Sequence, residues 1–209
     1  MNPLPVVESF HSLQGEGLHT GRSAFFIRLG GCSVGCPWCD TKHSWPQGAH
    51  PDRSLAELAE EARAAAEAGA GFVVITGGEP LHHQLDRLCE ALSQATATAA
   101  RPRGLPLHLE TSGVDPLSGS FAWISLSPKR HNPPTAQLLA ACDELKVVVH
   151  DAEDLAFAEA MAAAAPQGPA LLLQPGDNCP AGQALAIEHV KHHPAWRLSL
   201  QTHKWLGVR

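Results

Sequence analysis

Apolar residues recur along this chain in short runs separated by longer amphipathic stretches, and the two alternate almost to the end. The run S-A-F-F-I-R-L at 23–29 predicts a strand. Residues 54–68 are rich in Ala and Glu, with Leu55 and Leu58 on one face, and predict a helix. Ser54 is placed to cap it with Glu57 three residues on, and Gly69 to stop it. Further strands are expected at 72–75, 107–110, 121–126, 144–149, 170–173 and 197–201. Further helices are expected at 81–96, 152–164 and 183–192, with a surface loop at 97–106. Repeated strand–helix units of this kind imply a parallel sheet with helices packed on it. Apolar strands bounded by polar turns suit a sheet covered on both faces.

The chemistry-bearing residues fall just after the strands: Cys32, Thr76, Glu79, Glu110, Ser127, Lys129 and Gln174. Barrels and partial barrels of parallel strands build their sites from loops at the strands' C-terminal ends, and doubly wound open sheets do the same. No internal repeat or linker interrupts the pattern, so residues 1–209 are expected to form one domain. That length is short of the ~250 residues typical of a full eight-fold barrel. The expected fold is α/β, a partial, open TIM-like barrel of parallel strands with outer helices.

Composition narrows the function. A formal net charge of −6 argues against an extended nucleic-acid surface. No signal-peptide pattern is present and no apolar run approaches ~18 residues, so neither secretion nor a membrane span is expected. Three of the six cysteines are clustered and the others stand alone, unlike a disulfide framework. A reducing cytoplasm is the expected compartment.

The cluster itself is Cys32, Cys36 and Cys39, spaced C-x3-C-x2-C in G-G-C-S-V-G-C-P-W-C-D-T. Thiolates suit iron–sulfur clusters and zinc. Three on one loop leave a four-iron cluster with one iron free of protein, open to a further ligand. A zinc site would need a fourth ligand, which His43 is placed to supply. Downstream, T-G-G-E-P at 76–80 follows the next strand, and Gly77 and Gly78 let backbone approach a ligand closely.

With these two motifs the chain resembles the radical S-adenosylmethionine (SAM) superfamily. S-L-Q-G-E-G at 12–17, C-D-T at 39–41, E-T-S-G at 110–113, S-P-K at 127–129 and Q-T-H-K at 201–204 occur in order. Together they are similar to the 7-carboxy-7-deazaguanine synthase family, over nearly the whole chain. A glycyl-radical activase would share the cysteines and G-G-E-P but not Q-G-E-G and Q-T-H-K. A non-catalytic zinc-binding module is the remaining alternative.

The resemblance implies a [4Fe–4S] cluster on Cys32, Cys36 and Cys39, with SAM chelating the open iron. It implies Mg²⁺ on Thr41, and conversion of 6-carboxy-5,6,7,8-tetrahydropterin to 7-carboxy-7-deazaguanine with loss of ammonia and regeneration of SAM. Family SAM contacts fall on Trp38, Cys39, Asp40, Gly78, Ser127, Pro128, Lys129, Gln174, Pro175, Gly176 and Asp177. Substrate contacts fall on Leu13, Gln14, Gly15, Arg28, Thr76, Glu110, His203 and Arg209, with Arg28 facing the substrate carboxylate. A reductant such as flavodoxin or ferredoxin and a homodimer are also implied. His82, His83, His192 and His193 lie outside these motifs and read as surface residues.

Overall fold

The computed structural model describes residues 3–209. Its backbone is one nine-stranded sheet ordered β3-β1-β2-β4-β5-β6-β7-β8-β9. The strands are β1 (Leu4–Leu13), β2 (Ser23–Leu29), β3 (Asp52–Arg53), β4 (Phe72–Gly77), β5 (Leu107–Thr111), β6 (Trp123–Leu126), β7 (Glu144–Val149), β8 (Ala170–Pro175) and β9 (Trp196–Leu198). From β2 onward every pairing except those of β1 is parallel; β1 runs antiparallel to both β2 and β3. The helices are α1 (Leu55–Glu67), α2 (Asp86–Ala95), α3 (Ala136–Ala141), α4 (Ala152–Ala164), α5 (Pro180–His192) and α6 (Thr202–Leu206).

The parallel strands follow one another in sequence order, without the reversal that defines a doubly wound sheet. Right-handed crossovers then place the connecting helices on the same side, and the sheet curls into an open, partial barrel.

Side-chain alternation separates the two faces. Phe25, Ile27 and Leu29 of β2, Val73 and Ile75 of β4, Leu107 and Leu109 of β5, and Leu145, Val147 and Val149 of β7 join the main core with residues of α1, α2, α4 and α5. The alternate positions carry Arg28, Thr76, His108, Glu110, Glu144 and Lys146. A sheet covered on both faces was the expectation; here only the outer face is buried under helices. The inner face is mixed: Phe10, Ala24, Phe26, Phe72 and Val74 form a second, small apolar cluster beside β1, and the polar positions floor the cleft described below.

Several elements differ from the sequence pattern. The strand β1 was not anticipated, since Glu8, Ser9, His11 and Ser12 break up its apolar positions. It holds β2 through seven registered pairs, with a bulge between Val6 and Glu8. The helix expected from 81 begins at Asp86 instead, because Pro80–His82 form a 3₁₀ turn capped by Glu79. The strand expected at 197–201 ends at Leu198, and Q-T-H-K folds as α6. Ser54 and Glu57 form the expected capping box on α1, and Asp151 and Asp154 form a second one on α4.

Candidate active site

Loops at the C-terminal ends of the parallel strands enclose a cleft in two compartments. The first, about 210 Å³, is walled by Cys32, Cys36 and Cys39 with Trp38, Gly78, Ser127, Lys129, Gln174, Pro175 and Asp177. The second, about 220 Å³, is walled by Phe10, Leu13, Gln14, Gly15, Phe26, Arg28, His203 and Arg209. Glu16, Asp40, Thr41, Thr76, Gly77, Glu110 and Gln201 border both, so the compartments are halves of one cleft.

The cysteine loop leaves β2 and is held by backbone bonds rather than regular structure. Gly31 N donates to Ser44 O at 2.8 Å, Cys32 N to Trp45 O at 3.1 Å and Cys39 N to Cys36 O at 3.1 Å. The segment after β4 docks on it, with Glu79 N donating to Gly31 O at 2.9 Å. A Cβ on Gly78 would press on Gly31 O and stand 2.8 Å from Cys32 Cβ, so only glycine permits this approach. Gly77 has φ 146° and a Cβ there would strike the Leu29 backbone.

The donor set fits an iron–sulfur cluster with an open position. Three thiols share one cavity wall. His43, the residue that would close a Cys₃His zinc site, is exposed and its carbonyl accepts from His50. Burial raises the thiol pKa of Cys32 and Cys36, so loading iron as thiolates releases protons. Lys129 stands near Cys36 and donates to Ser127 Oγ at 2.7 Å; burial lowers its pKa, opposed by Cys36.

Two residues taken for surface histidines instead brace this loop. His82 Nε2 accepts from Ser33 N at 3.1 Å while its Nδ1 meets Asp115. His83 Nε2 lies 2.8 Å from Gly30 O. Their positions just after G-G-E-P were the available signal. Glu79 is buried and stitches β4 to β5, accepting from Thr111 Oγ1 at 2.6 Å and Ser112 N at 2.8 Å.

The second compartment is assembled from both ends of the chain. Thr202 N donates to Gly15 O at 2.9 Å, and Ser12 Oγ donates to Arg209 O at 2.7 Å. Gln14 Nε2 donates to Glu110 Oε1 at 2.9 Å. Arg28 uses Nε on Glu8 at 3.0 Å and is partly buried, on the cleft side of β2 rather than the solvent side. Thr76 is its register partner on β4. Thr41 Oγ1 sits 3.5 Å from Cys39 Sγ, where the compartments meet.

Asp40 is held by the C-terminal segment. It accepts from Lys204 Nζ at 2.9 Å and Gln201 Nε2 at 3.2 Å. Burial would raise its pKa, but the Lys204 contact outweighs this and holds it low. Lys204 also pairs with Asp177 at 3.1 Å, so α6 ties the cysteine loop to the β8 loop.

At the cleft floor, Lys146 pairs with Glu16, whose other oxygen accepts from Gln201 Nε2 at 2.9 Å. Burial would raise Glu16, but the Lys146 ammonium and these hydrogen bonds depress its pKa. Burial would lower Lys146, but Glu16, Glu110 and Glu144 raise it. Glu144 is buried, accepts from Ser125 Oγ at 2.7 Å and Leu18 N at 2.7 Å, and fixes the turn after β1. Glu16, Gln201 and Lys204 lie inside motifs quoted from the sequence, but neither they nor Glu144 and Lys146 were given a role there. Glu144 and Lys146 alternate on one face of a strand, a polar period of two inside an apolar run.

Two nominated residues stand apart from the cleft wall. Pro128 is buried between Ser127 and Lys129, and Gly176 is buried against the His150 ring and borders an adjoining cavity with Trp205, which shares Gln174, Pro175, Asp177 and Gln201 with the first compartment.

Comparison with known proteins agrees with this arrangement. The family model described as "Radical SAM superfamily" matches residues 26–146. A 7-carboxy-7-deazaguanine synthase of Prochlorococcus marinus is 56% identical over 98% of each chain. Its Synechocystis counterpart is 48% identical over 98% of this chain and 93% of its own. The crystal structure of QueE from Escherichia coli superposes with a TM-score of 0.78 at 32% identity, covering 96% of this chain and 94% of that one. The chain therefore belongs to the radical SAM superfamily and, within it, to the family of the 7-carboxy-7-deazaguanine synthases.

Proposed function

We propose that this protein is a radical SAM carbon–nitrogen lyase that converts 6-carboxy-5,6,7,8-tetrahydropterin to 7-carboxy-7-deazaguanine with loss of ammonia, in 7-deazapurine (queuosine-type) biosynthesis. The observation that carries this reading is the two-part cleft, thiols in one half and an arginine with pterin-compatible polar groups in the other. Superfamily membership brings a [4Fe–4S] cluster and SAM, which when bound supply a 5′-deoxyadenosyl radical for hydrogen-atom abstraction.

In this reading Cys32, Cys36 and Cys39 hold the cluster. Trp38, Cys39, Asp40, Gly78 and the segments 127–129 and 174–177 hold SAM, with Pro128 and Gly176 acting through their backbone and packing. The Arg28 guanidinium keeps two nitrogens beyond its bond to Glu8 for a substrate carboxylate. Gln14, Glu110 and His203 offer donors and acceptors to the pterin edge, bounded by Leu13, Gly15, Thr76 and Arg209. Thr41 offers its oxygen to Mg²⁺, a hard cation suited to one protein oxygen plus substrate and water oxygens. Flavodoxin or ferredoxin supplies the electron, residues 1–209 act as one domain, and the chain pairs as a homodimer. No helix of the described residues is long and apolar enough to cross a membrane.

The test separates substrate from SAM. Arg28→Ala should lower affinity for the carboxylated pterin by more than tenfold and leave SAM affinity within twofold; Arg28→Lys should recover part of the loss. Thr41→Ala should blunt the response of turnover to Mg²⁺. Equal loss of SAM and pterin binding in Arg28→Ala would show that Arg28 holds up the strand instead.

A further inference from the structure

On the outer helical layer, at the end of the barrel opposite the cleft, α4 and α5 bring Glu159, His189 and His193 together. One ligand atom from each lies within 4.8 Å of the others. We propose that this cluster binds a borderline divalent transition-metal ion of the Zn²⁺ class and clips α5 to α4.

The geometry is that of a partly organised site. His189 Nε2 lies 2.8 Å from Glu159 Oε1, and Trp196 Nε1 donates to the same oxygen at 2.8 Å, fixing the carboxylate. His193 follows His189 by one helical turn, and the two rings stack at 3.9 Å and only 12° from parallel, so their in-plane lone pairs run side by side and the exposed His193 ring tips towards Glu159 when an ion binds. His193 Nδ1 lies 2.9 Å from His189 O. Donating that proton leaves Nε2 of His193 with its lone pair outward. Such outer hydrogen bonds orient metal-binding imidazoles and carboxylates.

An ion taking the place of the proton between His189 and Glu159 would sit about 2.0–2.1 Å from each. At a tetrahedral angle that sets nitrogen and oxygen roughly 3.3 Å apart, an opening of about half an ångström from the observed contact. Two imidazoles and one carboxylate select zinc, copper, nickel or cobalt over magnesium or calcium. Carbonyls at the C-terminal end of α5 add partial negative charge. Glu159 and His193 are exposed, so an ion can enter, while His189 is largely covered.

The experiment uses cluster-loaded protein under anaerobic conditions, with Zn²⁺ alone competed against a chromophoric chelator. The unmodified protein should take up one Zn²⁺ per chain that His193→Ala and Glu159→Gln bind at least tenfold more weakly. His192→Ala is the matched control: its Nδ1 makes the same bond to the carbonyl four residues back, but the ring faces Glu188. Zn²⁺ should raise the melting temperature of the unmodified protein and His192→Ala, and not that of His193→Ala. Equal Zn²⁺ affinity in all four proteins, or no such uptake, would overturn the proposal. Cysteine-loop binding is common to all four and cancels.

Discussion

Lys146 is the cation around which the cleft floor is built, and its removal gives a sharp test of that electrostatics. Its side chain is 7% exposed, Glu16 beside it is 20% exposed, and Glu110 and Glu144 contribute to its raised pKa. Lys146→Met keeps the length and apolar stem but strands the Glu16 carboxylate among two further carboxylates. Breaking a buried pair by deleting one partner costs about 3–5 kcal/mol. For a chain of this size each kcal/mol lowers the melting temperature by roughly 2–4 °C, so a drop of about 6–20 °C is expected. Glu16→Gln in the same background should restore most of it, since the amide keeps an acceptor for Gln201 without charge, giving a coupling of about 2 kcal/mol or more. The gap between Lys146→Met and the unmodified protein should narrow on acidification, because Glu16 protonates first in the variant. Differential scanning calorimetry of the single and double variants measures this. A drop below about 2 °C, or strictly additive losses, would refute the pairing as the organising contact.

Other outcomes follow from the same contacts. Gly78→Ala should destabilise the cysteine loop by about 1–3 kcal/mol of overpacking and lower iron content, whereas Gly48→Ala, whose Cβ meets nothing within 4 Å, should do neither. Cys36→Ala should lose stable cluster and SAM cleavage together, while Cys142→Ala, buried in the helical core, should keep both. His108 is pushed down to about 3 by burial and by nearby His19 and Arg22. The unfolded chain therefore takes up a proton near pH 6.5 that the folded one refuses. Its contribution to stability is complete above that pH and falls as pH drops towards 3, by up to ~1.4 kcal/mol per unit. His108→Phe, stacked on Phe72, should flatten stability between pH 6.5 and 5; unchanged slopes would contradict this.

The strands and helices that pack the outer core were legible because they alternate with clear caps: β2, β7 and α4 fall on the predicted residues. Cys32, Cys36 and Cys39 stood out by their spacing and Gly78 by its place after β4; they line one cavity, where a Cβ on Gly78 would strike the cysteine loop. What escaped depends on contacts far apart in sequence. Nothing local marks β1 as a strand, since its pairing with β2 decides it. Nor does anything local show Lys146 meeting Glu16, or Lys204 bridging Asp40 and Asp177. The helix α6 has five residues, too few for an apolar period. His82 and His83 looked idle because their partners, Ser33 and Gly30, lie about fifty residues back.

The central claim is that the two compartments hold a radical generator and a carboxylated pterin against each other. Its most direct measurement is product formation by anaerobically reconstituted protein given a reductant, SAM, Mg²⁺ and 6-carboxy-5,6,7,8-tetrahydropterin. The account predicts 7-carboxy-7-deazaguanine and ammonia in equal amounts, with many turnovers per SAM. SAM cleavage without any deazaguanine product, in protein carrying a full complement of iron, would contradict it.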